Sequence, residues 1–236
     1  MIDLAASWQR HLRLGGFSPF STVDWPGQLC AVVFLAGCPW RCAYCHNPEL
    51  QNSRTRADLD WPAVEARLGR RRGLLDGVVF SGGEPTSDPA LPHAIARMRS
   101  LGFKVGLHTA GIYPERLAAV LPLLDWVGFD LKTGQAHYDA LTGAPGSAAR
   151  AWASAEKLAA SGVACEFRLT YHSALMNEDD ALEVAHHAAG LGVRHFSLQA
   201  YRPRPQIGQA LAPFAGIPFD LAERMSPLFA HFTLRE

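Results

Sequence analysis

The sequence lacks several features that would indicate a membrane protein, a secreted protein or a nucleic-acid-binding protein. No stretch approaches about eighteen consecutive apolar residues, so no membrane-spanning helix is expected, and no membrane is expected as a partner. The amino-terminal residues lack a basic segment followed by an apolar one, so we predict no secretory signal peptide. Because 22 basic and 22 acidic residues cancel, charge gives no reason to expect a nucleic acid as a partner.

Cysteine is scarce as well, with five residues in a chain of 236. An odd number of thiols cannot all pair, and a chain of this length can bury a core without disulfide bonds. We therefore expect a reducing, cytoplasmic compartment and thiols that bind metal. The chain also lacks internal repeats, low-complexity segments and long linkers, which predicts a single domain over residues 1–236.

Short apolar runs alternate with longer amphipathic segments. The predicted strands are Leu29–Ala36, Gly77–Phe80, Lys104–His108, Trp126–Leu131, Ala164–Tyr171 and His195–Ala200. The predicted helices are Trp61–Arg72, Pro89–Leu101, Tyr113–Leu124, Ala148–Ala160 and Asn177–Leu191. Near-continuous apolar strands are typical of parallel sheets covered on both faces. Six such units are fewer than a complete barrel needs, so we expect an α/β fold with an incomplete, open-sided (β/α)6 TIM-like barrel. A doubly wound open sheet is the alternative.

Three of the five cysteines lie within the segment "GCPWRCAYCHNPE", after the first predicted strand. Cys38, Cys42 and Cys45 have the spacing C-x3-C-x2-C. A structural zinc ion requires four ligands, and the nearby candidate for the fourth, His46, directly follows a cysteine. Three thiolates suit a [4Fe–4S] cluster that leaves one iron open for a substrate or cofactor. A zinc site and an accidental grouping of thiols are the alternatives.

This cysteine motif, with Tyr44 before its last cysteine, resembles the signature of the radical S-adenosylmethionine enzymes. That family carries a Gly-Gly-Glu-Pro motif after its second strand, and here "SGGEP" places Gly82, Gly83 and Glu84 directly after the second predicted strand. Glycines let a backbone come close to a ligand, whose ammonium the exposed edge can then bind. The block "GGFSPFSTVDWPGQLCAVVFLAGCPWRCAYCHNPEL", together with "YPERL" and "DWVGFDLK", resembles the anaerobic ribonucleoside-triphosphate reductase activating proteins. These are glycyl-radical activases related to pyruvate formate-lyase activating enzyme.

The resemblance implies that Cys38, Cys42 and Cys45 bind one [4Fe–4S] cluster and act in catalysis through it. S-adenosylmethionine would chelate the fourth iron, and its reductive cleavage would give a 5′-deoxyadenosyl radical. That radical would remove hydrogen from a glycine of a glycyl-radical enzyme, by resemblance the anaerobic ribonucleoside-triphosphate reductase. A flavodoxin- or ferredoxin-like protein is the expected electron donor. The resemblance also makes Tyr44, Gly82, Gly83 and Glu84 candidates for cofactor binding.

Further cofactor-binding candidates lie at or near the carboxyl ends of predicted strands, where barrel enzymes place their sites. The resemblance assigns Asp130 and Lys132 to the cofactor and its neighbourhood, and a solvated ion pair is the alternative. Arg168, inside an apolar strand, requires an anionic partner: Asp130, Glu166 or the carboxylate of the cofactor. His108 replaces an acidic residue that in pyruvate formate-lyase activating enzyme helps to hold a monovalent cation, which puts that cation site in doubt. It could bind the cofactor or simply pack at the strand end.

The remaining features are less specific. Cys30 and Cys165 are too few for a second cluster, so we expect them to be small buried residues. The basic run Arg67–Arg72 could dock an acidic electron donor or could be a solvated helix end. The last thirty residues carry no recognisable motif. Two rival functions stay open, namely a radical enzyme acting on a small molecule, such as 7-carboxy-7-deazaguanine synthase, and a metal-binding module without catalysis.

Overall fold

In the computed structural model, which describes residues 4–203, 211, 214 and 216–236, eight strands form one sheet in chain order. They are β1 (Leu14–Ser21), β2 (Cys30–Leu35), β3 (Gly77–Gly82), β4 (Lys104–Thr109), β5 (Trp126–Leu131), β6 (Ala164–Tyr171), β7 (His195–Ala200) and β8 (His231–Arg235). The first strand pairs antiparallel with the second, and every later neighbour is parallel. Within the described residues β1 and β8 do not pair with each other, so the curved sheet is open.

Helices connect the parallel strands and cover the outer face of the sheet. They are α1 (Trp61–Gly69), α2 (Leu91–Ser100), α3 (Pro114–Val120), α4 (Gln135–Thr142), α5 (Ser147–Ala160), α6 (Glu178–Gly190) and α7 (Phe219–Met225). Asp60 caps the first of them by accepting a hydrogen bond from the Ala63 amide. Asn177 and Asp180 form a capping box at the start of α6. In the described chain, no helix has the length and apolar character needed to cross a bilayer.

The predicted fold class is confirmed, because the six predicted strands are present as an open, mostly parallel sheet. The structure adds β1 and β8 at the two edges, and it adds α4 and α7 among the helices. The third helix is shorter than predicted, since it gives way after Val120 to a 3-10 turn that contains Pro122. The barrel is therefore larger than six units but still incomplete.

Successive residues of each strand point to opposite faces, and the two faces have different cores. Outward side chains pack against the helices in the main core, which includes Val33, Phe80 and Leu107. On the inner face Trp25 and Trp126 stack at a centroid distance of 5.6 Å. Cys30 is buried in this inner cluster, as predicted, while Cys165 is half-buried against the main core.

Glycines make room for these inner rings. A Cβ added to Gly77 or Gly106 would lie 2.9 or 3.0 Å from the Trp25 ring. The stacked tryptophans therefore fill the inner face towards the amino ends of the strands. The unfilled space inside the open barrel lies at the opposite, carboxyl ends of the strands.

Candidate functional site

A cavity of about 790 Å³ opens at the carboxyl ends of the parallel strands. Every site residue predicted from the sequence lines it: Cys38, Cys42, Tyr44, Cys45, Gly82, Gly83, Glu84, His108, Asp130, Lys132 and Arg168. These residues come from five different strand ends and loops, spread over 131 positions of the chain, counted from 38 to 168. The barrel therefore brings residues that are far apart in the sequence together around one cavity.

The cysteine loop follows β2 and is fixed by backbone hydrogen bonds. The Cys38 amide donates to the Gln51 carbonyl (3.1 Å), and the Arg41 amide donates to the Thr142 carbonyl at the end of α4 (2.7 Å). Gly37 has a φ of 107°, a conformation that favours glycine, at the point where the chain leaves the strand. The three thiols of the motif are free and half-buried.

The surroundings of Cys38 and Cys42 disfavour negative charge on their sulfur atoms. Burial and the nearby Glu84 carboxylate raise the pKa of Cys38 to about 12, and burial raises the pKa of Cys42. A bound metal cation would favour the thiolate form of both residues. Among the described residues, no three His, Cys, Asp or Glu side chains are grouped closely enough to hold a single metal ion. Three thiols on one loop are the ligand set of a cluster in which each thiolate binds a different iron.

The "SGGEP" segment packs directly against the cysteine loop. The Gly83 amide donates to the Leu35 carbonyl and the Glu84 amide to the Gly37 carbonyl, both at 2.9 Å. A Cβ added to Gly83 would lie 2.7 Å from the carbonyl oxygens of Gly37 and Leu50. Glycine is thus required for backbone contact between the two motifs, a reason different from the ligand contact expected from the sequence.

Glu84 is buried and its carboxylate is fully engaged by protein groups. It accepts hydrogen bonds from the Thr86 amide (3.0 Å) and hydroxyl (2.5 Å), the Thr109 hydroxyl (2.7 Å) and the Ala110 amide (3.0 Å). Burial raises the pKa of Glu84, whereas these hydrogen bonds act in the opposite direction. The side chain therefore joins the end of β3 to the end of β4, and positions both.

A charged network extends from β5 to β6. The Arg168 Nε donates to Asp130 Oδ1 at 2.8 Å, while Lys132 Nζ lies 3.9 Å from Asp130 Oδ2. Of the two protein carboxylates considered for Arg168, Asp130 is the one that pairs with it, while Glu166 pairs with Arg235 at 2.7 Å. The Arg168 side chain is only 10% exposed, which distinguishes this pair from a solvated surface ion pair.

The electrostatics of the network keep it charged. Burial alone would raise the pKa of Asp130, but Arg168 and Lys132 outweigh burial and lower that pKa to about 2. One carboxylate between two cations leaves a net positive charge beside the cavity. Gly128 provides the space for this arrangement, since a Cβ there would lie 2.8 Å from Arg168 Nη1.

His108 joins the network to the connection between β1 and β2. Its Nε2 lies 2.7 Å from the Asp24 carbonyl oxygen and 3.2 Å from Arg168 Nη1, and its Nδ1 lies 3.4 Å from the Ser81 hydroxyl. Burial and the Arg168 charge lower the pKa of His108 to about 4, so the ring is neutral at pH 7. A neutral ring that donates from Nε2 to Asp24 packs at the strand end while still lining the cavity.

Tyr44 and Lys132 bring the cysteine loop and β5 together. Tyr44 is buried against Leu141 and Tyr201, and the Lys132 ammonium lies 5.6 Å from the centre of its ring. This is a cation–π distance, which stabilises a lysine charge next to the third cysteine of the motif. The structure thus gives the aromatic residue a packing role that the motif alone did not predict.

Several cavity residues were missed by the sequence analysis. Asp24 comes from the β1–β2 connection, Thr170 and Gln199 from the ends of β6 and β7, and Arg235 from β8. Only strand-end position could have identified Thr170 and Gln199, because both lie at the carboxyl end of predicted strands. No signal in the sequence marks Arg235.

The comparisons with known proteins identify the superfamily of the chain. A profile described as Radical SAM superfamily matches residues 32–188, well over half of the chain. SuiB from Streptococcus suis, solved bound to S-adenosylmethionine, superposes with a TM-score of 0.67 at 16% identity, covering 84% of this chain and 48% of SuiB. At that identity the similarity concerns the fold.

Three curated relatives match about half of the chain. A Methanocaldococcus jannaschii protein with a provisional name as a glycyl-radical enzyme activating enzyme is 35% identical over 123 residues, covering 50% of each chain. Pyruvate formate-lyase-activating enzyme of Clostridium pasteurianum is 32% identical over 125 residues, covering 51% of this chain and 52% of its own. The 7-carboxy-7-deazaguanine synthase of Methanopyrus kandleri is 33% identical over 126 residues, covering 45% and 50%.

The matched region spans about half the length of these curated relatives. The superfamily implies an iron–sulfur cluster and S-adenosylmethionine, and the three free thiols at the mouth of the cavity are of the right chemical type for that cluster. The profile match, the fold and the grouping of the motif residues lead to the same assignment. The chain belongs to the radical S-adenosylmethionine superfamily.

Proposed function

We propose that this chain is a glycyl-radical activase, an enzyme that cleaves S-adenosylmethionine reductively at one [4Fe–4S] cluster and thereby creates a radical on a glycine of a partner protein. The observation that carries the proposal is the single cavity in which the three thiols, the "SGGEP" segment and the charged network meet. The names of two of the curated relatives support the choice of activase.

In this proposal Cys38, Cys42 and Cys45 hold the cluster as thiolates, each on a different iron. The cluster and S-adenosylmethionine, when bound, supply the one-electron chemistry that generates a carbon radical. The backbone of Gly82–Glu84 contributes hydrogen-bond acceptors for the ammonium of the cofactor, since the Glu84 side chain is engaged elsewhere. The protein excludes water and fixes the orientation of the cofactor.

The charged network would bind the carboxylate of the cofactor, whereas the backbone of Gly82–Glu84 would bind its ammonium. Lys132 and Arg168 outweigh Asp130 by one positive charge, which favours the cofactor carboxylate. Asp130 keeps the two cations apart and oriented, and its low pKa leaves it without a proton to transfer at neutral pH. Neutral His108 holds the β1–β2 connection against this network, and Tyr44 supports Lys132 from the side of the cysteine loop.

A protein substrate is supported by the open side of the barrel. Within the described residues, the edges formed by β1 and β8 are not joined, so a backbone segment can approach the cavity from the side. We propose a glycyl-radical enzyme as this partner, with anaerobic ribonucleoside-triphosphate reductase as the specific candidate. We also propose that residues 1–236 act as one domain, since one sheet runs from Leu14 to Arg235, and that the chain works in the cytoplasm.

A second candidate is a radical enzyme for a small polar substrate. Thr170, Gln199 and Arg235 line the same cavity, and one curated relative is a 7-carboxy-7-deazaguanine synthase at comparable identity. Such polar groups converging on a cavity of about 790 Å³ are what a metabolite site requires.

Electron paramagnetic resonance separates the two candidates. The reconstituted, chemically reduced protein is mixed anaerobically with S-adenosylmethionine and anaerobic ribonucleoside-triphosphate reductase. We expect a glycyl doublet that disappears when the radical-bearing glycine of the reductase is replaced by alanine. Cofactor cleavage that a purine-like substrate stimulates, with no radical on the partner, would favour the small-molecule enzyme.

A further inference from the structure

A second cavity, of about 570 Å³, lies on the other side of the cysteine loop. Arg13, Arg41 and Arg116 line it, and its described lining residues include no aspartate or glutamate. We refer to it as the arginine cavity. Cys38 lines both this cavity and the site cavity. The loop that carries the first cysteine of the motif is therefore the wall between the two spaces.

Among the residues that the structure describes, two of the three arginines have no carboxylate partner. Arg41 Nη1 donates to the carbonyl oxygens of Cys38 (2.6 Å) and Trp40 (2.9 Å). Arg116 Nη1 donates to the carbonyl oxygens of Thr86 and Ser87, each at 3.2 Å, and both arginines are exposed. In the described part of the chain no salt bridge involves either of them.

The third arginine, Arg13, is held in place by a buried carboxylate and a hydroxyl group. Arg13 Nε lies 3.2 Å from Asp88 Oδ2, whose side chain is fully buried, and Arg13 Nη2 donates to the Ser87 hydroxyl at 3.1 Å. Because Asp88 neutralises Arg13, the free positive charge of the cavity belongs to Arg41 and Arg116. Guanidinium groups of this kind bind carboxylates in two-pronged pairs.

The position of the arginine cavity suits electron entry. If the cofactor and the substrate occupy the site cavity, as the proposed function requires, a donor must reach the cluster from another side. The cysteines outside the motif, Cys30 and Cys165, are too few for a second cluster within residues 1–236, so the proposal takes the electron from a carrier protein. The arginine cavity reaches Cys38 without crossing the site cavity.

We propose that the arginine cavity is the docking face for an acidic one-electron carrier protein. Carboxylates of the carrier pair with Arg41 and Arg116, and one electron passes from the reduced carrier to the cluster beside Cys38. The carrier is oxidised by one electron, the cluster is reduced by one electron, and no bond forms or breaks in this step. The proposal rests on the proposed function, since it requires a cluster on the three cysteines.

The basic run Arg67–Arg72, the predicted alternative, is poorly placed for this task. It covers the last turn of α1 and the residues that follow it, before β3. Close by, the Asp76 amide donates to the Leu29 carbonyl and Arg71 Nη1 donates to the Pro19 carbonyl. This is the amino end of β2, whereas the cysteines follow its carboxyl end. Six strand residues, about 20 Å, separate the two ends.

The test compares Arg116→Glu with Arg72→Glu, since the two exposed arginines give the same change in charge at opposite ends of the sheet. The probe is an acidic flavodoxin, oxidised for measuring its Kd and reduced for measuring the rate of cluster reduction by absorbance. At about 50 mM salt we expect Arg116→Glu to raise the Kd about tenfold and to slow reduction similarly. The effect should shrink at about 500 mM salt. Arg72→Glu should stay within about twofold of the native protein.

Two further measurements serve as controls for this test. Arg41→Gln should weaken flavodoxin binding without Arg116 being changed, so the result does not depend on one variant. Reduction by photoreduced deazaflavin should leave cofactor cleavage by Arg116→Glu at the native rate, which shows an intact cluster site. Failure of the native protein to form a glycyl radical would count against the activase, while the binding result would still decide the docking face.

Three outcomes would overturn the docking proposal. One is flavodoxin binding and reduction that Arg116→Glu leaves unchanged. Another is an equal loss in Arg72→Glu, which would mean that general charge steering explains the effect. The third is binding of inorganic phosphate that Arg116→Glu abolishes while flavodoxin binding persists, which would make the cavity a small-anion site.

Discussion

At the scale of single residues, the site depends on charges held at low exposure on the inner face of the sheet. Arg168 reaches Asp130 only because Gly128, on the neighbouring strand, leaves the space of a missing Cβ. The sequence predicted that Arg168 needs an anionic partner, but it could not choose among the three candidates. Between the two protein carboxylates, the register that pairs Asp130 with Arg168 across β5 and β6 decides for Asp130.

Replacing Asp130 with asparagine should therefore destabilise the fold, because the Arg168 guanidinium would lose its carboxylate at low exposure. We expect the free energy of unfolding to fall by about 2 kcal/mol in chemical denaturation. Glu115→Gln is the matched control, since Glu115 pairs with Lys157 but is 84% exposed. The control should change stability by less than about 0.5 kcal/mol. Equal small effects in both variants would contradict the buried network.

His108 should make the stability of the protein sensitive to mild acid. Its folded pKa is lowered to about 4 by burial and by Arg168, with Asp130 and Asp24 acting in the opposite direction, whereas an unfolded histidine titrates near about 6.5. Between these values the unfolded state binds more protons, so stability falls as the pH is lowered through this window. From pH 7 to about pH 5 we expect the native protein to lose about 1–2 kcal/mol more than His108→Gln.

Chemical denaturation of the two proteins at both pH values measures this difference, and the other histidines contribute equally to both. A pH dependence that is the same in the native protein and in His108→Gln would show that the folded ring titrates normally. The neutral ring donating to Asp24 would then be the wrong description.

The five cysteines should fall into two groups. Alanine at Cys38, Cys42 or Cys45 should each abolish binding of iron after anaerobic reconstitution, because each thiolate is expected to hold a different iron. Alanine at Cys30 should retain iron and cost only about 1 kcal/mol in stability, since its side chain is a small buried group. Iron and sulfide analysis checks this grouping. Loss of the cluster in Cys165→Ala with retention in Cys45→Ala would refute the ligand assignment.

At the scale of elements, the important contact joins the end of β3 to the cysteine loop after β2. Gly82 has a φ of 118°, and a Cβ there would lie 2.3 Å from the Leu35 carbonyl oxygen. The two motifs that identify the family are thus also packed on one another. Any change that separates them should affect both the loop and the cavity.

Gly83→Ala tests this contact with a single methyl group. Because the added Cβ would lie 2.7 Å from two backbone oxygens of the cysteine loop and its continuation, we expect a loss of about 2 kcal/mol or more in stability. The bound iron should also decrease. Gly69→Ala, in α1 with no atom within 4 Å of its added Cβ, is the control. It should be neutral or stabilising by up to about 1 kcal/mol. A Gly83→Ala protein with native stability and iron content would show that the loop can move aside.

The elements that the sequence did not predict have physical reasons for being missed. β1 reads "LGGFSPFS", with glycine, serine and proline where strand propensity is low, and its edge position tolerates them. β8 is short and mostly exposed, so it lacks the apolar run of a covered strand. For α4 the sequence did contain a signal, the glycine at position 143. In the structure Gly143 ends the helix as its C-cap, with a φ of 64°.

At the scale of the whole molecule, the sequence predicted which candidate residues line one cavity better than it predicted the edges of the sheet. The six strands β2 to β7 are rich in apolar residues, so their runs are visible in the sequence, and strand-end positions then predict which polar residues lie near one another. Arg235 and Asp24 reach the cavity from β8 and from the β1–β2 connection, and tertiary packing alone brings them there. The contacts of Glu84 also required the structure, because its four donors come from two separate strand ends.

The two proposals concern the two cavities that meet at the cysteine loop. Cys38, in the cysteine loop, lines both the site cavity and the arginine cavity, so the two proposals place substrate and electron donor in separate cavities. This separation requires that the cluster lies at the loop and that S-adenosylmethionine lies on the site side of it. The central claim is therefore a cluster on the cysteine loop that S-adenosylmethionine contacts directly.

The most direct test is the electron paramagnetic resonance spectrum of the reconstituted, reduced protein, recorded with and without S-adenosylmethionine. We predict a spin-one-half cluster signal whose g-values change when S-adenosylmethionine is added, with about four irons and four sulfides per chain by chemical analysis. Zinc in place of iron, or a cluster signal that is indifferent to S-adenosylmethionine, would contradict the account.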